Sequence, residues 1–186
     1  ENWVIKTNAN KKFFTPNIII AAGVGSFEPR KLNLKDTEKF EGTSIFYSVQ
    51  NKNIFKEKNL SIFGGGDSAL DWALELSKIS NVTLIHRRDE FRGAPHTLAE
   101  IKKLEEKGKI SIKTPCQLIS IAGDKEIKSI DIKYDNGKNE TIKTDNILSF
   151  FGLVMKLGPI AEWGLGMDKK TVKVNTDNFQ TNKPGI

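Results

Sequence analysis

Cysteine and histidine are scarce in this chain: its 186 residues hold one Cys, Cys116, and two His, His86 and His96. A single cysteine cannot form an intramolecular disulfide, a C-x-x-C redox pair or a zinc site. Two His and one Cys assemble no Ser/His/Asp, Cys/His or metal-ligand constellation. No catalytic side chain and no metal are therefore expected, and any chemistry belongs to a cofactor. Long apolar runs are also missing. The longest, Ile18 to Ala22, is far too short to span a bilayer, and Glu1 opens the chain with no signal-peptide pattern. No membrane partner and a reducing, cytoplasmic setting are the expectations. The chain has no initiator Met, so an excised fragment is expected. Blocks of basic residues alternating with aromatics are absent too. Lys and Arg outnumber Asp and Glu by 29 to 23, a formal charge of +6, but the lysines are scattered among carboxylates. Nucleic acid is not expected; solvated surface charge or an acidic partner remains open.

What is present reads as a globular α/β chain, with 38% apolar and 28% charged residues. Trp3 to Thr7 and Lys12 to Thr15 predict two short strands, and Asn17 to Ala22 a buried strand leading into Gly23-Val24-Gly25. Glu28 to Gly42 reads as a linker. Ser44 to Ser48 predicts a strand, and Leu60 to Phe63 another that ends in three glycines. Helical spacing follows over Asp67 to Ile79, then a buried strand over Val82 to Ile85. Strand, glycine turn, helix, strand is a βαβ unit. Thr97 and Glu100 have the spacing of a capping box, opening a helix that stops at Gly108. Ile110 to Lys113 predicts a strand. Gln117 to Lys143 predicts an antiparallel meander around Asp135-Asn-Gly137. Asn146 to Phe151 is a last buried strand, and Val172 to Val174 a short one.

The chemistry lies in Gly64, Gly65, Gly66, Asp67, Ser68 and Ala69, a G-x-G-x-x-A motif between an apolar strand and an amphipathic helix. Gly64 permits the tight turn, Gly66 lets backbone approach a pyrophosphate, and Ala69 lets the helix pack on the sheet. The helix N-terminus then faces the phosphates. Asp67 stands in that field as a competing anion or as a helix cap. NAD-binding chains place an acid about 20 residues later, on the ribose 2′-hydroxyl. Here His86, Arg87, Arg88 and Arg92 occupy that place, and guanidinium groups can fork onto a 2′-phosphate. The cofactor expected is NADPH. The plain alternative is a basic strand end with Arg88 paired to Asp89 or Glu90.

Gly64 to Trp72 (GGGDSALDW) and His86 to Arg92 (HRRDEFR) resemble the thioredoxin-reductase-like ferredoxin/flavodoxin–NADP+ reductases. Ala21 to Lys31, Phe151 to Val154, Leu157 to Ile160 and Trp163 to Leu165 extend the resemblance over essentially the whole chain. It implies a Rossmann-like βαβ NADPH domain with a parallel sheet and an antiparallel β-meander, flanked by partial FAD-domain segments. The implied division is 1–36, the end of a truncated FAD domain and crossing linker; 37–157, the NADPH domain; and 158–186, the return to the FAD domain. The implied activity of the whole enzyme is hydride transfer between NADPH and FAD N5, then electron exchange with acidic ferredoxin or flavodoxin. Gly152 is implied to lie near the nicotinamide end. A homodimer is implied for the full-length enzyme. Two departures stand out. Phe46 to Asn51 lacks the C-x-x-C of thioredoxin reductases, which excludes disulfide reduction. The flavin G-x-G-x-x-G and the closing Gly-Asp segment are absent, so FAD is not expected on this fragment. An isolated nucleotide-binding module without turnover, or a flavin-dependent reductase with another acceptor, are the rival readings.

Overall fold

The computed structural model describes residues 2–23 and 25–186. Val24, in the expected Gly23-Val24-Gly25 exit, lies outside them. The chain forms two compact units, one from residues 1–28 and 153–186 and the other from Pro29 to Gly152.

The first unit opens with an antiparallel hairpin of β1 (Trp3–Lys6) and β2 (Lys12–Thr15). Asn17 to Ala22, expected as a buried strand, belongs to no strand, and Ile19 is 91% exposed. Its Ile18 amide donates to Gly185 O at 2.7 Å, but no strand ladder includes it among the described residues, so its apolar pattern has no sheet to enter. β3 (Ser26–Pro29) follows.

The second unit contains β4 (Ile45–Phe46), β5 (Asn59–Phe63), α1 (Asp67–Leu76), β6 (Asn81–Ile85), α2 (Pro95–Glu106), β7 (Ile110–Lys113), β8 (Cys116–Gly123), β9 (Ile127–Tyr134), β10 (Asn139–Lys143) and β11 (Asn146–Ser149). A five-stranded sheet runs in the order β4-β11-β5-β6-β7, and the pairings are parallel. Strand alternation sends side chains to two layers. Leu60, Ile62, Val82, Leu84 and Leu148 pack with Leu70, Ala73, Leu76 and Ile101 of the helices. Phe63, Ile85 and Ile147 pack with Ile127, Ile130 and Ile132 of the antiparallel meander β10-β9-β8. The result is a parallel sheet between helices and a meander, the α/β arrangement expected. The meander turns at Gly137, whose amide donates to Tyr134 O at 2.9 Å.

This unit begins at Pro29 and ends at Gly152, whereas the sequence suggested 37–157. Leu32 is buried with Phe40 and Ile45, and the Arg30 amide donates to Gly152 O at 3.0 Å, which binds both crossings to the unit. The expected capping box does not form. Pro95 starts α2 two residues before Thr97, its N-cap is Ala94, and the Thr97 hydroxyl turns to Asp71.

The first unit resumes with β12 (Leu153–Lys156), paired with β3, and a small hairpin of β13 (Met167–Asp168) and β14 (Thr171–Val172). Within it, a cleft of about 670 Å³ is lined by Ile18, Ile19, Ile20, Met155, Val172 and Phe179, among others. No helix of the described residues is long and apolar enough to cross a membrane.

Candidate functional site

β5 has β11 on one side and β6 on the other, both parallel to it. The connection from β5 runs through α1 to β6 on one side, and that from β7 runs through the meander to β11 on the other, so the strand order switches at β5, the place where open α/β sheets form a ligand crevice. The three glycines sit there. The Gly64 amide donates to Ile85 O at 3.1 Å, and the Phe150 amide to Phe63 O at 2.7 Å, so both neighbouring strand ends frame the turn. Gly64 has φ +152°, and a Cβ on it would approach Ala69 Cβ to 2.8 Å and Phe150 O to 2.9 Å. Those contacts explain the need for a glycine at one end of the motif and a small residue at the other. Gly65 is buried under the His86 imidazole, with no room for a Cβ. Gly66 is exposed, and a Cβ there would meet nothing within 4 Å.

Gly66 is the N-cap of α1, and no side chain caps the helix. Asp67 is thus its first residue rather than its cap, correcting one of the two expectations for this carboxylate. Ala69 is the first helix amide to find an acceptor, Gly66 O at 3.0 Å. The amides of Asp67 and Ser68 have no acceptor among the described residues, and they point out of the helix N-terminus as an anion requires.

β6 ends in His86. Its amide donates to Lys113 O and its carbonyl accepts from the Cys116 amide, both at 3.0 Å. Behind it, Glu140 holds Lys113 Nζ and the Tyr134 hydroxyl, each at 2.7 Å. The His86 ring stacks on Phe91, with centroids 5.2 Å apart and an interplanar angle of 30°. Burial lowers its pKa below the ordinary histidine value. A hydrogen bond to the Glu90 backbone works against that shift, and the charges of Arg87, Arg88 and Arg92 reinforce it. Nε2 is buried without a hydrogen-bond partner among the described residues. That environment favours the neutral ring, which packs over Gly65.

Arg87, Arg88 and Arg92 are exposed. None of the three is in an ion pair among the described residues, and the Arg88 pairing with Asp89 or Glu90 does not form. The Arg92 amide donates to Gly65 O at 2.6 Å, drawing the arginine loop back to the glycine turn. The structure thus brings Gly64 to Ala69, His86 and Arg92 together, with Arg87 and Arg88 on the same loop. Gly152 lies beyond the end of β11, exposed at φ +86°, with its carbonyl committed to Arg30. Sequence reasoning missed Phe91, Gly93 and Ala94. An apolar Phe91 within a run of charges was the available signal. Cys116 is buried and its thiol is pushed up to about 11, chiefly by burial. It is a protonated packing group, not a nucleophile.

The model of the pyridine nucleotide-disulphide oxidoreductase family matches residues 1–186. The chain belongs to that family. Among its relatives, a ferredoxin–NADP reductase of Pelagibacter ubique is 60% identical over 184 residues, covering 99% of this chain and 54% of the relative. A ferredoxin–NADP reductase of Flavobacterium johnsoniae is 45% identical over 186 residues, covering 99% and 53%. The chain therefore spans about half the length of the curated relatives it matches. The crystal structure of Lactococcus lactis thioredoxin reductase is 26% identical, with a TM-score of 0.79 over 99% of this chain and 59% of that one. T. acidophilum thioredoxin reductase, 24% identical over 98% of this chain and 59% of that one, shares the fold at a TM-score of 0.79.

Proposed function

We propose that this chain is the NADPH-binding portion of an FAD-dependent ferredoxin/flavodoxin–NADP+ reductase. The observation that carries the reading is the pairing of two features at one switch point: an open helix N-terminus at Gly66 and three uncommitted guanidinium groups beyond the adjacent parallel strand. The Asp67 and Ser68 amides receive the pyrophosphate, over the open face of Gly66. Arg87, Arg88 and Arg92 receive the 2′-phosphate, with charge-assisted hydrogen bonds that NADH cannot make. When bound, NADPH supplies the hydride. The protein's part is to orient it, and Gly152 leaves space at the nicotinamide end of β11. The names of the relatives and the absence of a C-x-x-C support a ferredoxin-type carrier rather than a disulfide. The +6 charge suits an acidic partner. FAD belongs, on this reading, to the whole protein: the sequence here offers no second G-x-G-x-x-G turn. The division into 37–157 as the NADPH domain with FAD-domain flanks, a homodimer of the whole protein and a cytoplasmic setting are parts of the same proposal.

Calorimetric titration of NADPH and NADH into wild type and into the Arg87→Ala/Arg88→Ala double variant tests it. Each charged hydrogen bond lost corresponds to about 1.5–3 kcal/mol, or roughly 10- to 100-fold in affinity. NADPH should bind far tighter than NADH in wild type, and the double variant should lose most of the difference. Equal affinity for both cofactors in wild type rules the 2′-phosphate assignment out.

A further inference from the structure

Asp67 is an awkward residue for a phosphate-binding turn, because its carboxylate stands at the head of the helix that the phosphates approach. Its hydrogen bond shows where the charge is directed. Asp67 Oδ1 accepts the Ala94 amide at 2.7 Å, across 27 positions of sequence. Ala94 is the N-cap of α2 and closes the loop that begins at His86. A neighbouring bond runs parallel to this one: the Arg92 amide donates to Gly65 O at 2.6 Å. Between them, Gly93 packs directly on Leu70 of α1, where a Cβ would collide with Leu70 Cδ1 and stand 3.2 Å from Asp67 Oδ1. One turn further along α1, Thr97 Oγ1 donates to Asp71 at 3.4 Å. From Arg87 to Ala94, the only backbone amides with an acceptor among the described residues are those of Arg92 and Ala94.

We infer that Asp67 is a specificity-positioning residue: its carboxylate latches the arginine-bearing loop to the head of α1 and so sets Arg87, Arg88 and Arg92 at the distance a nucleotide 2′-phosphate requires. The inference rests on the NADPH reading above and adds to it a residue that does not touch the cofactor through its side chain. Two properties of the side chain then separate. The acceptor oxygen holds the loop. The negative charge is incidental to the latch: it favours the helix dipole and opposes the incoming phosphates. Asparagine keeps an acceptor oxygen in the same position without the charge, whereas alanine removes both.

The test compares wild type, Asp67→Ala and Asp67→Asn by calorimetric titration with NADPH and with NADH. In parallel, the exchange rate of the Ala94 amide is followed by NMR, and circular dichroism checks that each variant is folded. The outcome expected for Asp67→Ala is a loss of about five- to tenfold in NADPH affinity, the size of one charged hydrogen bond partly screened by solvent. NADH, which lacks the 2′-phosphate and meets one opposing charge fewer, should bind at least as tightly as to wild type, and Ala94 exchange should be faster. Asp67→Asn should keep the slow Ala94 exchange and bind NADPH at least as tightly as wild type. An equal loss for both cofactors in Asp67→Ala would place the effect in the pyrophosphate turn and overturn the latch. Unchanged Ala94 exchange in that variant overturns it as well. If wild type itself fails to distinguish NADPH from NADH, the cofactor reading falls, while the latch is still decided by the exchange measurement.

Discussion

A Cβ on Gly66 would meet no protein atom within 4 Å, while one on Gly64 would come within 2.8 Å of Ala69 Cβ. The neighbouring glycines therefore answer to different demands, and substitution separates them. Gly66 has φ −101°, which alanine adopts without strain. Gly66→Ala should cost no more than about 1 kcal/mol of stability, the size of a lost N-cap preference, yet weaken NADPH binding because the methyl occupies the ligand's side of the turn. Gly64→Ala should cost about 1–3 kcal/mol from overpacking alone, with further strain from its backbone angle. Urea denaturation and NADPH titration of both variants check this. Wild-type affinity in Gly66→Ala would show that the pyrophosphate passes elsewhere.

Among the elements, β5 and β11 form the pair on which the site is built, and their starts are tied by one side chain. Asp145 Oδ2 accepts both the Asn59 amide and Asn59 Nδ2, each at 2.8 Å. Burial pushes the Asp145 carboxyl up, but the Asn59 hydrogen bonds, with Lys58 and Lys143 nearby, hold it below its ordinary value. Asp145→Ala should therefore destabilise the protein by about 1.5–3 kcal/mol at neutral pH. Because the folded-state pKa is depressed, this stabilisation is complete above the ordinary aspartate range and fades as pH falls through the folded value. The gap between wild type and variant, measured by urea unfolding, should be constant from pH 7 down to about 5 and narrow in more acidic solution. A gap that stays constant into acid would mean that the carboxylate charge is not what ties the strands.

At this same scale much of the fold was legible. The βαβ unit could be read because a strand, a glycine turn and a helix are all local patterns, and Asn136-Gly137 marks its own hairpin. Three features could not be read, and each depends on residues remote in sequence. The Thr97–Glu100 spacing suggested a cap, but Pro95 fixes an earlier helix start and Asp67 takes the Ala94 amide. Ile18 to Ile20 has strand composition, yet a strand depends on a partner ladder, and here only the Ile18 amide finds a backbone acceptor, Gly185 O. The arginines were visible as charges, whereas the brace of Lys113, Glu140 and Tyr134 behind His86 exists only once three strands meet.

In the whole molecule, apolar burial is unevenly divided. Among the described residues, every buried apolar residue but Leu165 falls between Leu32 and Leu148, and both hydrophobic clusters lie inside the Pro29–Gly152 unit. A unit with its own core can fold alone. A fragment of residues 29–152 should unfold in one cooperative transition and bind NADPH as tightly as the whole chain does, because every nucleotide-binding residue proposed here lies within it. Calorimetry and a thermal melt on the fragment check this. A folded fragment without nucleotide affinity would show that the flanking segments contribute to the site.

The isoleucines at positions 18–20 bear on how this chain behaves in the tube. They lie outside any strand, with Ile19 91% exposed, and β-branched side chains laid bare on such a segment form an adhesive edge for a second copy. The +6 charge keeps copies apart at low ionic strength, and added salt screens that repulsion. The full chain should therefore cloud on concentration in salt, and trimming to the Pro29–Gly152 unit removes the edge along with the turbidity.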